Sequence, residues 1–167
     1  AIMAGGDAAE FARAAALFAV LGRATLVGPV GCGQLAKLCN QLIVGGTINI
    51  VAEALLLAQA GGADPAAVRD AIRGGFAESR VLEVHGRRML ERDFIPGGRV
   101  TLQLKDLDNV LAAAAAAEVR LPVAELVAER YRSIAATLPD ADHAAALLAL
   151  EALNPGTRVG AAPDRLP

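Results

Sequence analysis

The sequence has no tryptophan, one tyrosine and four phenylalanines, so aromatic residues make up only 3% of its 167 positions. That scarcity excludes a core built on large rings. The 54% hydrophobic content rests instead on alanine and aliphatic side chains, which favours closely packed helices over a sheet sandwich. An excess of one charge is also missing: 16 basic and 18 acidic residues give a net −2. With the basic residues scattered, there is no footprint for nucleic acid. The two histidines, His85 and His143, stand apart from other ligand types in the sequence. No metal-ligand spacing and no nucleophile elbow appears, so no metal is predicted. The two cysteines, Cys32 and Cys39, lie two helical turns apart in one predicted helix, about 10 Å and beyond disulfide reach. A reduced, cytoplasmic chain follows. The longest apolar run, from Leu42 to Ala52, is broken by Thr47 and Asn49. It falls short of the roughly 20 residues a bilayer span needs, which predicts a soluble chain without a membrane partner.

What is present begins abruptly. Ala1 to Ala4 reads as the end of a strand, and Asp7 as the cap of a helix through Phe11, Ala14, Phe18 and Leu21 that stops at Gly22. A short strand, Ala24 to Val27, follows. Such a β-α-β piece cannot bury both sheet faces alone, so it reads as the last edge of an α/β domain lying upstream. From Gly31 onward the pattern is helix after helix. The first runs from about Gly33 to Ala60, ~40 Å long, and stops at Gly61-Gly62. Asp64-Pro65 restarts a helix that ends at Gly74-Gly75. Further helices are expected from about Ser79 to Arg92, Thr101 to Glu118, Pro122 to Thr137, and from an Asp142 cap to Leu153. The stretch from Asn154 onward, rich in proline and glycine, is expected to be loose.

Three features could carry chemistry. Gly31-Cys-Gly33-Gln-Leu-Ala36 matches a dinucleotide fingerprint in the right local context, after a strand and opening a helix. The helix is far too long for a compact βαβ unit, however, and another helix follows it. A close backbone approach at a domain junction explains those glycines better. Next, Lys37, Asn40 and Gln41 sit at i, i+3 and i+4 and share one helix face. Glu53, 16 residues on, is rotated by roughly 160° and does not join them. A solvated lysine is the plain alternative, yet two amides beside a lysine next to an apolar segment cost more polarity than a core helix needs. As a site, Lys37 could hydrogen-bond a carbonyl oxygen and hand it a proton, with Asn40 orienting the substrate. Finally, Lys105-Asp106 lies near a helix start, where Asp106 and Asp108 suit the positive dipole end and Lys105 does not.

These residues, in order, resemble the C-terminal part of the β-hydroxyacid dehydrogenases. The resemblance rests on Gly28-Pro-Val-Gly-Cys-Gly-Gln-Leu-Ala-Lys37-Leu-Cys-Asn40-Gln41, on Glu53-Ala-Leu, and on the run from Gly74 to Gly86. Phe94-Ile-Pro-Gly97, Leu104-Lys-Asp-Leu107 and Asp142-His-Ala-Ala145 continue it. Asn40-Gln41 and the Gly-Gly-Phe-Ala-x-Ser-Arg run look most like the tartronate semialdehyde reductase branch. One departure is Gly98, where an aromatic residue would be expected; its loss would loosen a loop packing near the cofactor.

The resemblance implies an all-α fold, like the C-terminal domain of 6-phosphogluconate dehydrogenase, after a short β-α-β remnant of a Rossmann domain. Residues 1–27 would be that remnant, 28–153 the helical catalytic and dimerisation domain, and 154–167 a flexible tail. The activity implied is NAD(P)-dependent interconversion of a small 3-hydroxy acid and its carboxylate-bearing aldehyde. Lys37 would be the catalytic lysine, Asn40 and Gln41 substrate contacts, and Lys105 a contact to the cofactor, NAD or NADP. The cofactor would be bound mainly by a domain upstream, which would also carry the substrate loop, leaving the 167 residues inactive alone. A dimer or tetramer would form through the helical domain. Two alternatives stay open: a non-catalytic helical dimerisation module, and a substrate of the 3-hydroxyisobutyrate type.

Overall fold

A computed structural model describes residues 1–167. It opens with two parallel strands, β1 (Ile2–Ala4) and β2 (Ala24–Leu26), in register Ile2 to Ala24, Met3 to Thr25 and Ala4 to Leu26. The single crossover helix expected between them is instead two, α1 (Ala8–Arg13) and α2 (Ala15–Leu21). At Ala14 the amide turns to the i−3 as well as the i−4 carbonyl, those of Phe11 and Glu10, which tightens the turn and breaks the α-ladder. The Phe11 and Phe18 rings, 5.1 Å apart, bridge the break. Asp7 caps as predicted, its carboxylate accepting from the amides of Ala9 and Glu10.

The axis of the molecule is α3 (Cys32–Ala60), which packs against β1 and against α4 (Pro65–Ile72), α6 (Val100–Ala116), α7 (Pro122–Ala135) and α8 (Ala146–Ala152). By length and composition α3 is apolar enough to cross a membrane. The stretch Leu42–Ala52, taken alone and interrupted by Thr47 and Asn49, is too short to suggest this; the whole helix is not. Here α3 is a core helix: Ile48, Val51, Ala52, Leu55 and Leu56 are buried and meet Leu107 of α6, Ala128 and Tyr131 of α7, and Leu147 of α8. The Asp64-Pro65 and Pro122 starts and the Gly61-Gly62 stop fall where the sequence puts them.

The expected helix from Ser79 to Arg92 is a π-helical turn, Leu82–Gly86, followed by α5 (Arg87–Glu91). The cause is Arg69, a buried guanidinium on α4. It donates to the carbonyls of Leu82 at 3.2 Å and Glu83 at 3.0 Å and draws them out of the α-ladder. At the other end of α5, Arg92 takes a left-handed φ of 56° and turns its own guanidinium inward. It is 1% exposed and pairs with Glu151 at 2.6 Å and Asp164 at 2.7 Å. A buried cation needs such partners. They bring the stretch after Asn154, expected to be loose, back onto α5 with Val159 buried and the Arg165 carbonyl accepting from the Phe94 amide.

Candidate active site

The first turns of α3 are fixed by glycine. Gly31 caps the helix at φ 95°, open to glycine but strained for other residues. A Cβ on Gly33 would lie 2.6 Å from the Met3 carbonyl oxygen, and one on Gly5 would lie 2.7 Å from the Gly33 nitrogen. The glycines of the fingerprint-like run therefore serve a turn and a backbone-to-backbone junction between β1 and α3. This junction also brings β1 to the site: Met3 and Gly5 wall a cleft of about 670 Å³ whose other side carries Gly33, Lys37 and Asn40. No residue of the β-α-β piece is expected at the site from sequence, where the substrate loop falls upstream.

The four site residues predicted from sequence are brought together, and Asp106 is the group that joins them. Lys37 Nζ donates to Gln41 Oε1 at 2.6 Å, and Asn40 Nδ2 donates to the same oxygen at 3.0 Å. With its oxygen doubly occupied, Gln41 points Nε2 across to α6, where it donates to Asp106 Oδ2 at 2.7 Å. The other carboxylate oxygen, Oδ1, pairs with Lys105 Nζ at 3.1 Å. Lys37 and Lys105 are exposed, whereas Asn40, Gln41 and Asp106 are half-buried. Two cations and one carboxylate along this chain leave one surplus positive charge, which suits a small anion.

Sequence reasoning treated Asp106 as a dipole residue. Because α6 begins at Val100, Asp106 is beyond its first turn, where the dipole effect has faded. Its placement beside Lys105 was the available signal. A second residue missed is Gln103. It is fully buried, its Nε2 donates to the Gln41 carbonyl at 3.0 Å, and its Oε1 has no partner. A buried orphan acceptor costs about 1–3 kcal/mol.

Beside this site lies a buried polar cluster whose members no sequence spacing joins. His85 and His143 stack with ring centroids 6.0 Å apart. Asp142, 1% exposed, accepts from the amides of Gly97, Gly98 and Ala144, and sits 3.4 Å from His85 Nδ1 and 3.8 Å from Arg88. Burial pulls the Asp142 carboxyl upward. The neighbouring His85 imidazole, the Ala144 and Gly97 hydrogen bonds and the Arg88 charge outweigh it and hold the group well below the usual carboxylate range. Burial lowers the His143 imidazole and raises the Tyr131 phenol, the latter with help from the Asp142 charge.

Gly98 does not loosen its loop. Its carbonyl accepts from the His143 amide at 3.1 Å, Arg88 donates to the Ile95 carbonyl at 2.7 Å, and a Cβ at 98 would lie 2.9 Å from the His143 ring. The ring fills the space, and the loop is pinned. No group of three or more His, Cys, Asp or Glu side chains is arranged to hold a metal ion.

A helical domain behind a parallel βαβ edge has known counterparts. Residues 31–150 match the family model described as the NAD-binding part of NADP-dependent 3-hydroxyisobutyrate dehydrogenase, and the chain belongs to this family of NAD(P)-dependent oxidoreductases. Among its relatives, the 2-hydroxy-3-oxopropionate reductase of Escherichia coli K12 is 48% identical over 152 residues, which is 90% of this chain and 52% of that protein. The solved 3-hydroxyisobutyrate dehydrogenase of Salmonella typhimurium shares the fold with a TM-score of 0.79 at 24% identity, over 86% of this chain and 52% of that one. The Mycobacterium tuberculosis 3-hydroxyisobutyrate dehydrogenase solved with L-serine gives 0.77 at 26% identity, over 87% of this chain and 53% of that one. The chain thus spans about half the length of the relatives it matches.

Proposed function

We propose that this chain is the acid-bearing half of an NAD(P)-dependent oxidoreductase interconverting a small 3-hydroxy acid and its aldehyde, of the tartronate semialdehyde and glycerate type. The observation that carries the reading is the Lys37–Gln41–Asp106–Lys105 chain beside a glycine-walled cleft. The 48% identity to a 2-hydroxy-3-oxopropionate reductase supports the substrate class. The helical part is proposed to follow the C-terminal fold of 6-phosphogluconate dehydrogenase, with residues 1–27 as a Rossmann edge.

The cleft, with Lys37 on its wall and Lys105 at the far end of the polar chain, fits the groups required. A substrate carboxylate is drawn by the surplus positive charge, and Asn40 is on the cleft wall to orient it. Lys37 Nζ donates a proton to the carbonyl oxygen during reduction and removes it from the hydroxyl during oxidation. The nicotinamide, when bound, supplies or accepts the hydride. Gln41 keeps Lys37 on the cleft side of α3, and Lys105 on the exposed side of Asp106 is the group to meet the cofactor. The 167-residue chain is expected not to turn over alone, and a cytoplasmic setting is part of the proposal. The test is turnover of tartronate semialdehyde with NADH or NADPH. Activity is expected only when the chain is joined to a dinucleotide-binding half, and 3-hydroxyisobutyrate is expected to be the poorer substrate. Robust turnover by the 167 residues alone contradicts the division of labour.

A second role is supported by an apolar groove of about 590 Å³ between α3 and α7. Ile43, Ile50 and Leu57 of α3 and Val123 and Leu126 of α7 are more than half exposed along that side. We propose that a second copy covers them, giving a dimer or tetramer. Light scattering checks it: a concentration-independent monomer contradicts it, and association without any substrate or cofactor binding by calorimetry favours a purely structural module.

A further inference from the structure

Gln103 is the one fully buried amide in the core, and its single hydrogen bond goes to the carbonyl of a residue at the site. It reaches that carbonyl through a notch in α3. A Cβ at position 45 would lie 2.5 Å from Gln103 Nε2, so glycine at 45 is what admits the side chain. Gln41 is therefore gripped twice by α6, at its backbone oxygen by Gln103 and at its side-chain nitrogen by Asp106 one turn further along. An aliphatic side chain in the same place would fill the core without leaving Oε1 unpaired. What such a side chain could not do is set the height of α3 against α6 at Gln41.

From this double grip we infer that Gln103, seated in the Gly45 notch, is a positioning residue that holds Gln41 in register with Asp106 and thereby keeps Lys37 and Asn40 at the cleft. The inference rests on the proposed site and adds to it a buried residue that touches neither substrate nor cofactor. Gln41 has to meet three partners at once: Lys37 and Asn40 on its oxygen and Asp106 on its nitrogen. A side chain with three partners tolerates little sliding of its own backbone, and the Gln103 bond is the contact that resists sliding from inside the core.

The test uses the 15N-labelled 167-residue chain and two readouts: the side-chain amide cross-peaks of Gln41 and Asn40, and the affinity for tartronate by calorimetry. Gln103→Met is expected to melt at or above the wild-type temperature, because the orphan oxygen is gone. Its Gln41 cross-peak moves toward that of a free amide, and tartronate binding weakens by about tenfold, the size of one lost hydrogen bond to a charged ligand. A folded variant with an unmoved Gln41 cross-peak overturns the inference, as does unchanged tartronate affinity where the wild type binds. If the wild-type chain does not bind tartronate without a dinucleotide-binding half, the Gln41 cross-peak alone decides the positioning role, and the turnover test of the joined enzyme decides the substrate reading. Should Gln103→Met not fold, Gly45→Ala displaces Gln103 from the opposite helix and is expected to move the same cross-peak.

Discussion

Gln41 and Asp106, 65 positions apart in sequence, meet through a hydrogen bond of 2.7 Å that ties the longest helix to α6. That contact turns two separately weak features, a lysine beside two amides and a Lys-Asp pair, into one polar chain with Lys37 at one end and Lys105 at the other.

Replacing Asp106 separates the charge of this link from its geometry. Asp106→Leu leaves Gln41 Nε2 without an acceptor and is expected to cost about 1–3 kcal/mol in urea unfolding. Asp106→Asn keeps an acceptor oxygen and is expected to cost less than half of that. Equal losses would mean that the Gln41 bond carries no stability of its own.

The Asp142 cluster makes stability depend on acid. The depressed Asp142 carboxyl contributes fully above its ordinary value of 3.8, and the contribution is lost as pH falls below it toward the folded value. His143 is shifted the opposite way for its type: burial favours its neutral form, so stability is also lost as pH falls through its ordinary value of 6.5. Urea midpoints measured from pH 8 to pH 3 are expected to show a shallow decline near neutrality and a steeper one in the acid range. Asp142→Asn keeps one acceptor oxygen, so either the Ala144 amide on Oδ1 or the Gly97 and Gly98 amides on Oδ2 face an NH2 group instead. It is expected to lower stability at pH 7 by roughly 2 kcal/mol and to flatten the acid limb.

Arg92 is the anchor of the C-terminal stretch. Arg92→Met strands the buried carboxylate of Glu151, which is 11% exposed, and frees Asp164. A loss of about 3–5 kcal/mol is expected, as for breaking a buried pair from one side. Limited proteolysis reads the local effect: cleavage between residues 154 and 167 should accelerate in the variant and stay slow in the wild type.

Much of the helical layout was legible because its boundaries are local. Gly61-Gly62, Asp64-Pro65, Pro122 and the Asp142 cap each punctuate the chain through their own backbone preferences or a hydrogen bond two residues away. What escaped depends on groups distant in sequence. The π-turn after Leu82 arises from Arg69 on another helix, and the docking of the C-terminal stretch from an arginine whose partners lie 59 and 72 positions on. At the site, periodicity placed Lys37, Asn40 and Gln41 on one face. It could not place Asp106 opposite them, or reveal that a strand at residues 2–4 walls the cleft, because both follow from how α3 packs. The glycine pair at 31 and 33 reads as a junction rather than a phosphate loop: Gly33 is explained by its short distance to the backbone of β1, and Gly31 by its positive φ at the helix cap.

If Lys37 moves the proton, its replacement strikes the chemical step itself. In the enzyme formed when this chain accompanies a dinucleotide-binding half, Lys37→Ala is expected to lower kcat for tartronate semialdehyde by about 10²- to 10⁴-fold, the usual range for a positioned acid. Since the side chain is exposed, the melting temperature should move by no more than about 2 °C. A folded Lys37→Ala variant whose kcat stays within about threefold of the wild type would place the proton transfer on another group.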